Sequence, residues 1–184
     1  MLSFDPTELD GLFIANRSPL CNDLGDLTRF YCQKELKSIG INDSIAQINQ
    51  TLTYKTGSIR GMHFQFPPYA EDKMVSCIRG EIFDVAVDIR KNSSTFLHYH
   101  AEILSKENNK SMCIPKGFAH GFQSMSNDCE VLYLHTEFYS SKLEKGLRWN
   151  DPLIGIEWPL TATNISTRDV GHELLDKNFK GVYL

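Results

Sequence analysis

Short runs in which apolar and polar residues alternate dominate the middle of the chain, and they predict β-strands. In residues 83–89, phenylalanine, two valines and isoleucine alternate with aspartate, alanine and aspartate, which gives one apolar face. The run 74–78 precedes it across a turn at Arg79-Gly80. Residues 98–104 and 111–114 are further strand candidates, and the following Pro115-Lys116-Gly117 is a turn signal. Strands separated by turns predict an antiparallel sandwich or barrel.

A last strand is predicted over Glu130–Tyr139, with Leu132, Leu134 and Phe138 on one face and the tyrosines on the other. Helices are minor. The run Leu27–Ile39 is moderately helical, and Gly40 is placed to end it. The tail after Asp151 contains two prolines and a polar stretch, so we expect it to wrap the barrel. The predicted fold class is all-β: a jelly roll with a few short helices.

Composition narrows the class of protein. The 184 residues fit one domain spanning 1–184, and a net charge of −4 offers no broad basic surface for nucleic acid. Five scattered cysteines, an odd number, argue against a disulfide framework. The N-terminus has no basic start followed by an apolar run, and no window suits a membrane span. We therefore expect a cytoplasmic protein.

The densest group of polar residues in a strand-like run is Ser58–Gln65, which contains Arg60 and His63 on either side of Gly61. Strict alternation would put Arg60 and His63 on opposite faces of the strand. A bulge at Gly61 would let both side chains reach one pocket. Taken alone, a histidine in a strand is more often structural than catalytic.

Other candidates each have a structural interpretation beside the functional one. Lys73 precedes an apolar strand, where a solvated lysine is common. His120 lies among glycines and bulky residues, where a backbone or a ligand could approach closely. Tyr133 could simply pack, and Asp169 could cap a helix. A metal site could also form at His98, His100 and Glu102, but no later histidine completes it at an obvious distance.

Taken together, the motifs resemble the dTDP-4-dehydrorhamnose 3,5-epimerase family, the nucleotide-sugar epimerases with an RmlC-like cupin jelly roll. The resemblance runs in order and spacing over about residues 45 to 170. Its segments are Arg60–Gln65, Lys73–Gly80, Phe83–Arg90, Ser94-Thr95, Ile114–Phe122, Leu132-Tyr133, Tyr139, Arg148–Pro152, Ile156–Pro159 and Ser166–Asp169. Several motifs in register are far more specific than any one of them.

The resemblance implies an enzyme that inverts C3, C5 or both in a nucleoside-diphosphate 4-keto-6-deoxy sugar, without metal or organic cofactor. It implies that His63 is the base, oriented by Asp169, and that Lys73 stabilises the charge on the C4 oxygen. Tyr133 would return a proton from the opposite face. The substrate-binding residues implied are Arg60 and His120 at the diphosphate, Gln47 and Asn49 near the nucleotide, Tyr139, and Asp84 as a second support for His63.

The chain departs from the family pattern near the N-terminus. Where the family has an Asp-x-Arg-Gly-x-Phe-x-Glu segment, the arginine is Leu24 and the acidic residue is Arg29. His135 also stands where a lysine is common. The nucleoside is thus left open, and so are a single-centre epimerase, a ketoisomerase, and a metal-binding or non-catalytic cupin. The resemblance further implies a homodimer in which the N-terminal segment contacts the partner subunit.

Overall fold

The computed structural model describes residues 1–184 and consists of two antiparallel-rich sheets of six strands each. The first sheet has the strand order β1-β2-β10-β7-β12-β5, and the second runs β13-β6-β11-β8-β9, with β14 parallel to β6. A separate hairpin is formed by β3 and β4. The strand bounds are β1 Leu2–Pro6, β2 Phe13–Arg17, β3 Leu20–Asn22, β4 Gly25–Leu27, β5 Gln47–Thr53, β6 Ser58–Gln65, β7 Lys73–Arg79, β8 Glu81–Asp88, β9 Tyr99–Ser105, β10 Lys110–Ile114, β11 Phe118–Ser124, β12 Cys129–His135, β13 Glu144–Gly146 and β14 Asn164–Ile165.

Apolar side chains fill three layers. The largest cluster lies between the sheets and includes Val75, Met112, Phe122 and Val131. A second cluster covers the outer face of the second sheet, and a third covers the outer face of the first sheet. The central strands β7, β8, β10 and β11 therefore bury both faces, which stabilises the barrel because apolar area leaves water on each side. The predicted all-β jelly roll is confirmed.

The alternating strand predicted at 83–89 is confirmed as β8, but its apolar face points away from the space between the two sheets. Val85, Val87 and Ile89 pack under the C-terminal tail, which contributes Val182 and Phe179. The tail does wrap the barrel, as expected. The opposite face of β8 points between the sheets, and this is how the polar Asp84 becomes fully buried.

Two predicted element bounds are wrong. The predicted helix Leu27–Ile39 is only α1, Gln33–Leu36, followed by a 3-10 turn at Lys37–Ile39. Its first residue, Leu27, belongs instead to the hairpin, which turns at Asp23-Leu24 and ends with Leu27 in β4. Gly40 does end the helical segment, in the left-handed conformation at φ 90° that glycine adopts freely.

The predicted strand Glu130–Tyr139 ends at His135, the last residue of β12. Its neighbours give the reason, because His135 pairs with Gln47 at the start of β5 and with Lys73 at the start of β7. Beyond His135 neither neighbour continues, and the Thr136 N–H donates to the carbonyl of Asp72 in a loop. The second short helix, α2, spans Thr167–Val170. None of the helices is long and apolar enough to cross a lipid bilayer.

Candidate active site

A single large cavity of about 720 Å³ opens between the two sheets. One wall comes from β5, β7 and β12 of the first sheet, and the other from β6 and β11 of the second, with α2 at the rim. Nine of the ten residues predicted for the site line it: Gln47, Asn49, Arg60, His63, Lys73, His120, Tyr133, Tyr139 and Asp169. The sequence motifs, scattered over more than 120 positions, thus converge on one place.

The bulge predicted at Gly61 is confirmed. His120 of β11 pairs with His63, and Phe122 pairs with Arg60. An interval of three residues on β6 therefore lies opposite an interval of two residues on β11. Gly61 has φ +119°, and a Cβ at this position would lie 2.5 Å from the Cα of Gly121. Only glycine fits such an approach. The extra residue turns Arg60 and His63 toward the same cavity, which strict alternation forbids.

His63 and Asp169 form a hydrogen-bonded pair, with Nε2 of His63 2.7 Å from Oδ1 of Asp169. Ser166 caps α2 by accepting from the N–H of Asp169, so the carboxylate is free to reach His63. Burial raises the pKa of Asp169, but the bond to His63 outweighs it and brings the pKa down to about 2. An ionised carboxylate on Nε2–H leaves Nδ1 of the neutral ring with the lone pair that a base needs.

Arg168, which the sequence did not single out, lies beside this pair. Its Nη2 is 2.8 Å from Nε2 of His63, and its Nη1 is 2.8 Å from Oε2 of Glu144. The hydroxyl of Tyr139 donates to the same Glu144 oxygen, at 3.0 Å. At the rim of the cavity, Tyr139, Glu144 and Arg168 therefore form a network of polar contacts that reaches the imidazole of His63.

Lys73 is almost buried, and its Nζ lies 3.1 Å from Oε1 of Glu71. The other oxygen of Glu71 lies 2.9 Å from Nδ1 of His135. Burial raises the pKa of Glu71, but Lys73 and His135 outweigh it and the pKa falls below its usual value. The Glu71 carboxylate offsets the free-energy cost of burying the Lys73 ammonium, because an unpaired buried charge is strongly unfavourable.

Tyr133 lies on the first sheet, facing the cavity from the wall opposite β6. Its ring stacks on His135 at a centroid distance of 6.0 Å, and its hydroxyl is 3.4 Å from Oγ1 of Thr51. Burial raises the pKa of the phenol well above its ordinary value. The hydroxyl therefore stays protonated at neutral pH and can act as an acid.

Asp84 does not support His63, contrary to the sequence-based expectation. Its Oδ1 lies 2.7 Å from Nε2 of His120, and the residue is fully buried behind the cavity wall. The two residues belong to paired strands β8 and β11, which places them side by side. Asp84 instead orients His120, whose ring meets Tyr133 edge to face at 6.1 Å.

The remaining predicted residues lie along the open side of the cavity. Arg60 donates from Nε to Oγ1 of Thr53 at 2.9 Å and from Nη2 to the carbonyl of Leu52 at 3.4 Å, and the residue stays exposed. Gln47 and Asn49 are on the edge strand β5, and Oε1 of Gln47 accepts from the N–H of Tyr139. With Lys55, Lys73 and Arg168, Arg60 makes the cavity rich in cations that suit an anionic ligand.

The structure does not gather His98, His100 and Glu102 into a metal site. Nδ1 of His100 is bonded to Glu8 and Glu102 to Lys110, while His98 is exposed. Three potential ligand atoms, from His63, Asp169 and His172, do lie within 4.8 Å of one another. The Arg168 guanidinium touches two of these groups, and its positive charge opposes a bound cation.

Residues that sequence reasoning missed are the partners of the predicted ones. Glu71 lies two positions before Lys73, and Arg168 lies inside the Ser166–Asp169 motif, so proximity to a predicted residue was the available signal. Glu144 and His172 carried no such signal, because they reach the site through the short strand β13 and the tail.

A histidine–aspartate pair, a protonated tyrosine and several cations converge on one cavity of a jelly roll, an arrangement suited to acid–base chemistry on an anionic ligand. A sequence model of the dTDP-4-dehydrorhamnose 3,5-epimerase family matches residues 6–177. The chain belongs to this family. The comparisons thereby confirm the interpretation drawn from the motifs, and with it an enzyme of the isomerase class.

Relatives in sequence and in structure agree. The dTDP-4-dehydrorhamnose 3,5-epimerase of Shigella flexneri is 38% identical over 175 residues, which cover 94% of this chain and 96% of the relative. The crystal structure of dTDP-6-deoxy-D-glucose-3,5-epimerase from Legionella pneumophila, in complex with dTDP-4-keto-L-rhamnose, superimposes with a TM-score of 0.92 at 33% identity and full coverage of both chains. The dTDP-4-dehydrorhamnose 3,5-epimerase of Bacillus anthracis, with TDP and PPi bound, gives a TM-score of 0.91 at 35% identity, covering 95% of this chain and all of the other.

Proposed function

We propose that the protein is a nucleoside-diphosphate 4-keto-6-deoxy-sugar 3,5-epimerase that uses His63 as base and Tyr133 as acid. One observation carries the proposal: His63, bonded to Asp169 of α2, and the protonated Tyr133 lie on different sheets and face the same cavity. Inversion at carbon requires proton removal on one face and proton delivery on the other. Groups on two opposed walls meet this requirement, whereas groups on one wall would return the proton to the side from which it came.

The reaction begins when Nδ1 of His63 removes the proton from the carbon beside the C4 ketone. The electron pair of that C–H bond moves to the C4 oxygen and forms an enolate. Asp169 stabilises the imidazolium through Nε2, and the Lys73 ammonium stabilises the enolate oxygen. Tyr133 then delivers its proton to the opposite face of the same carbon, and the ketone is restored. Solvent returns a proton to Tyr133 and takes one from His63.

The nucleotide would lie along the open, cation-rich side of the cavity. We propose that Arg60 and His120 bind the diphosphate, with Gln47 and Asn49 near the nucleoside. Asp84 holds the His120 ring in place. Because the relatives from Legionella pneumophila and Bacillus anthracis were solved with dTDP-4-keto-L-rhamnose and with TDP, the thymidine nucleotide is the first substrate to test.

The test is proton NMR of the purified protein in deuterated water with dTDP-4-keto-6-deoxyglucose, and with the GDP and CDP analogues. We expect deuterium at both C3 and C5 with one nucleotide. Deuterium at one carbon would define a single-centre epimerase instead. His63→Ala should abolish the exchange while the protein stays folded, and exchange that persists in this variant would remove His63 as the base. A chelator should leave the exchange unchanged.

We also propose a homodimer in which the β3–β4 hairpin contacts the partner subunit. The hairpin lies outside both sheets and exposes Leu20, Leu24 and Leu27, with Leu24 98% exposed. Large apolar side chains grouped on one surface often mark an interface. Light scattering of the wild type and of Leu24→Asp tests this, because a monomeric wild type would contradict it. The cytoplasmic location expected from the sequence remains a prediction.

A further inference from the structure

His172 lies against the hydrogen-bonded pair of His63 and Asp169, although nothing in the sequence marked it as functional. It follows α2 by two residues and stands three positions after Asp169. Its ring meets the ring of His63 edge to face, at a centroid distance of 6.2 Å and an angle of 75°. The carbonyl of His172 accepts from Nε of Arg148 at 2.5 Å, which fixes the backbone that carries the ring.

Gly146 provides the space that the His172 ring occupies. A Cβ at position 146 would overlap three atoms of that ring, with Nε2 among them. Gly146 is also the residue of β13 that pairs with His63 of β6. The missing side chain therefore lets a second imidazole approach the dyad, on the side where His63 is anchored in the sheet.

Nε2 of His172 is buried and has no hydrogen-bond partner, which is unusual because buried polar atoms are nearly always paired. Oδ1 of Asp169 lies 3.8 Å from it, too far for a hydrogen bond. That same oxygen anchors Nε2 of His63. At this distance, an N–H dipole of His172 that points at the Asp169 carboxylate still weakens the negative potential that Asp169 produces at the imidazole of His63.

The charges around His172 favour a neutral ring. Burial lowers its pKa, and the adjacent His63 and Arg168 lower it further, against the opposing effect of Asp169 and Glu144. The charged and titratable groups around this residue are therefore these four and Arg148, which donates to its carbonyl. A neutral ring can present Nε2–H to Asp169 without adding a full positive charge next to the base.

We propose that His172 is a positioning residue that directs a neutral Nε2–H at Asp169 and sets the pH at which His63 becomes an effective base, and that Gly146 is required for this placement. The inference rests on the proposed roles of His63 and Asp169. Without the His172 donor, Asp169 would stabilise the protonated His63 more strongly, so a higher pH would be needed to free the base.

The experiment compares His172→Phe with His172→Gln by following solvent deuterium exchange into the substrate as a function of pH. His172→Phe keeps a ring but removes the donor, so the acid limb of kcat/KM should move up by about half a pH unit. His172→Gln places an amide N–H near the position of Nε2 and should keep the limb near that of the wild type. An unmoved limb in His172→Phe would overturn the proposal, because a purely structural role would lower the rate at every pH.

The role of Gly146 is tested by a double-mutant cycle. Gly146→Ala alone should displace the ring and move the acid limb as His172→Phe does. In a His172→Ala background the space is vacant, so adding Gly146→Ala should have no further effect on the limb or on thermal stability. Additive effects would contradict the coupling. If Gly146→Ala does not fold, the double variant and His172→Phe still decide the question.

The two proposals fail in different ways. Exchange that persists in His63→Ala would refute the proposed function itself. Loss of exchange in His63→Ala, together with wild-type pH profiles in His172→Phe and Gly146→Ala, would refute only the role given to His172.

Discussion

Replacing Asp169 by asparagine is the most direct test of the His63–Asp169 pair, because the change is nearly isosteric. In the folded protein the pKa of this carboxyl is about 2, against an ordinary value of 3.8. That difference corresponds to about 2 kcal/mol of stabilisation of the charged form. By linkage, it gives the order of magnitude by which Asp169 stabilises the charge on His63: the opposing effect of burial lowers this figure, and the bonds from Gly61 and Ser166 add to it.

The charge effect alone therefore predicts a fall of about 30-fold in the rate of proton abstraction. A second effect acts in the same direction. The asparagine amide can donate to Nε2 of His63, which would favour the tautomer with its proton on Nδ1 and so block the nitrogen that acts as base. We therefore expect a loss of at least about 30-fold in total, mainly in kcat, since Asp169 lies behind the imidazole and would not hold the nucleotide.

The assay is single-turnover deuterium exchange at saturating substrate, with thermal unfolding of both proteins as the control for structure. A variant that exchanges within about threefold of the wild type would refute the assignment of Asp169 as the partner of the base. A large loss accompanied by unfolding would not count in its favour, so the comparison requires an Asp169→Asn variant that is folded at the assay temperature.

Three further outcomes are expected. Tyr133→Phe should reduce inversion at least tenfold more than deuterium exchange, measured in the same NMR experiment, and an equal loss of both would contradict an acid role on the far wall. Gly61→Ala should lower the melting temperature by about 5 to 10 °C, because its Cβ would meet Gly121 at 2.5 Å, and a wild-type melting curve would contradict the close packing at the bulge. Because the pKa of Asp169 is lowered on folding, its contribution to the free energy of unfolding is full above pH 3.8 and is lost as the pH falls toward 2. The stability difference between the wild type and Asp169→Asn in denaturant titrations should therefore shrink over that range, and a constant difference would argue against the ion pair.

Local patterns in the sequence determined the fold class and most of the site. Alternating apolar positions predicted β8 because a strand turns successive side chains to opposite faces, and short runs between turn signals predicted β9 and β10. Gly61 between Arg60 and His63 predicted the bulge, since only an extra residue brings both side chains to one pocket. The ordered motifs identified the family, and through it nine residues that do line the cavity.

Only the tertiary structure decided which side chains become partners, because contacts between distant segments leave no periodic signal in the sequence. The length of β12 was set by where β5 and β7 begin, and the predicted helix over 27–39 was cut short by a hairpin. Asp84 is hydrogen-bonded to His120 because β8 pairs with β11. His172 reaches His63 only because the tail folds back over β13, where a glycine leaves room for its ring.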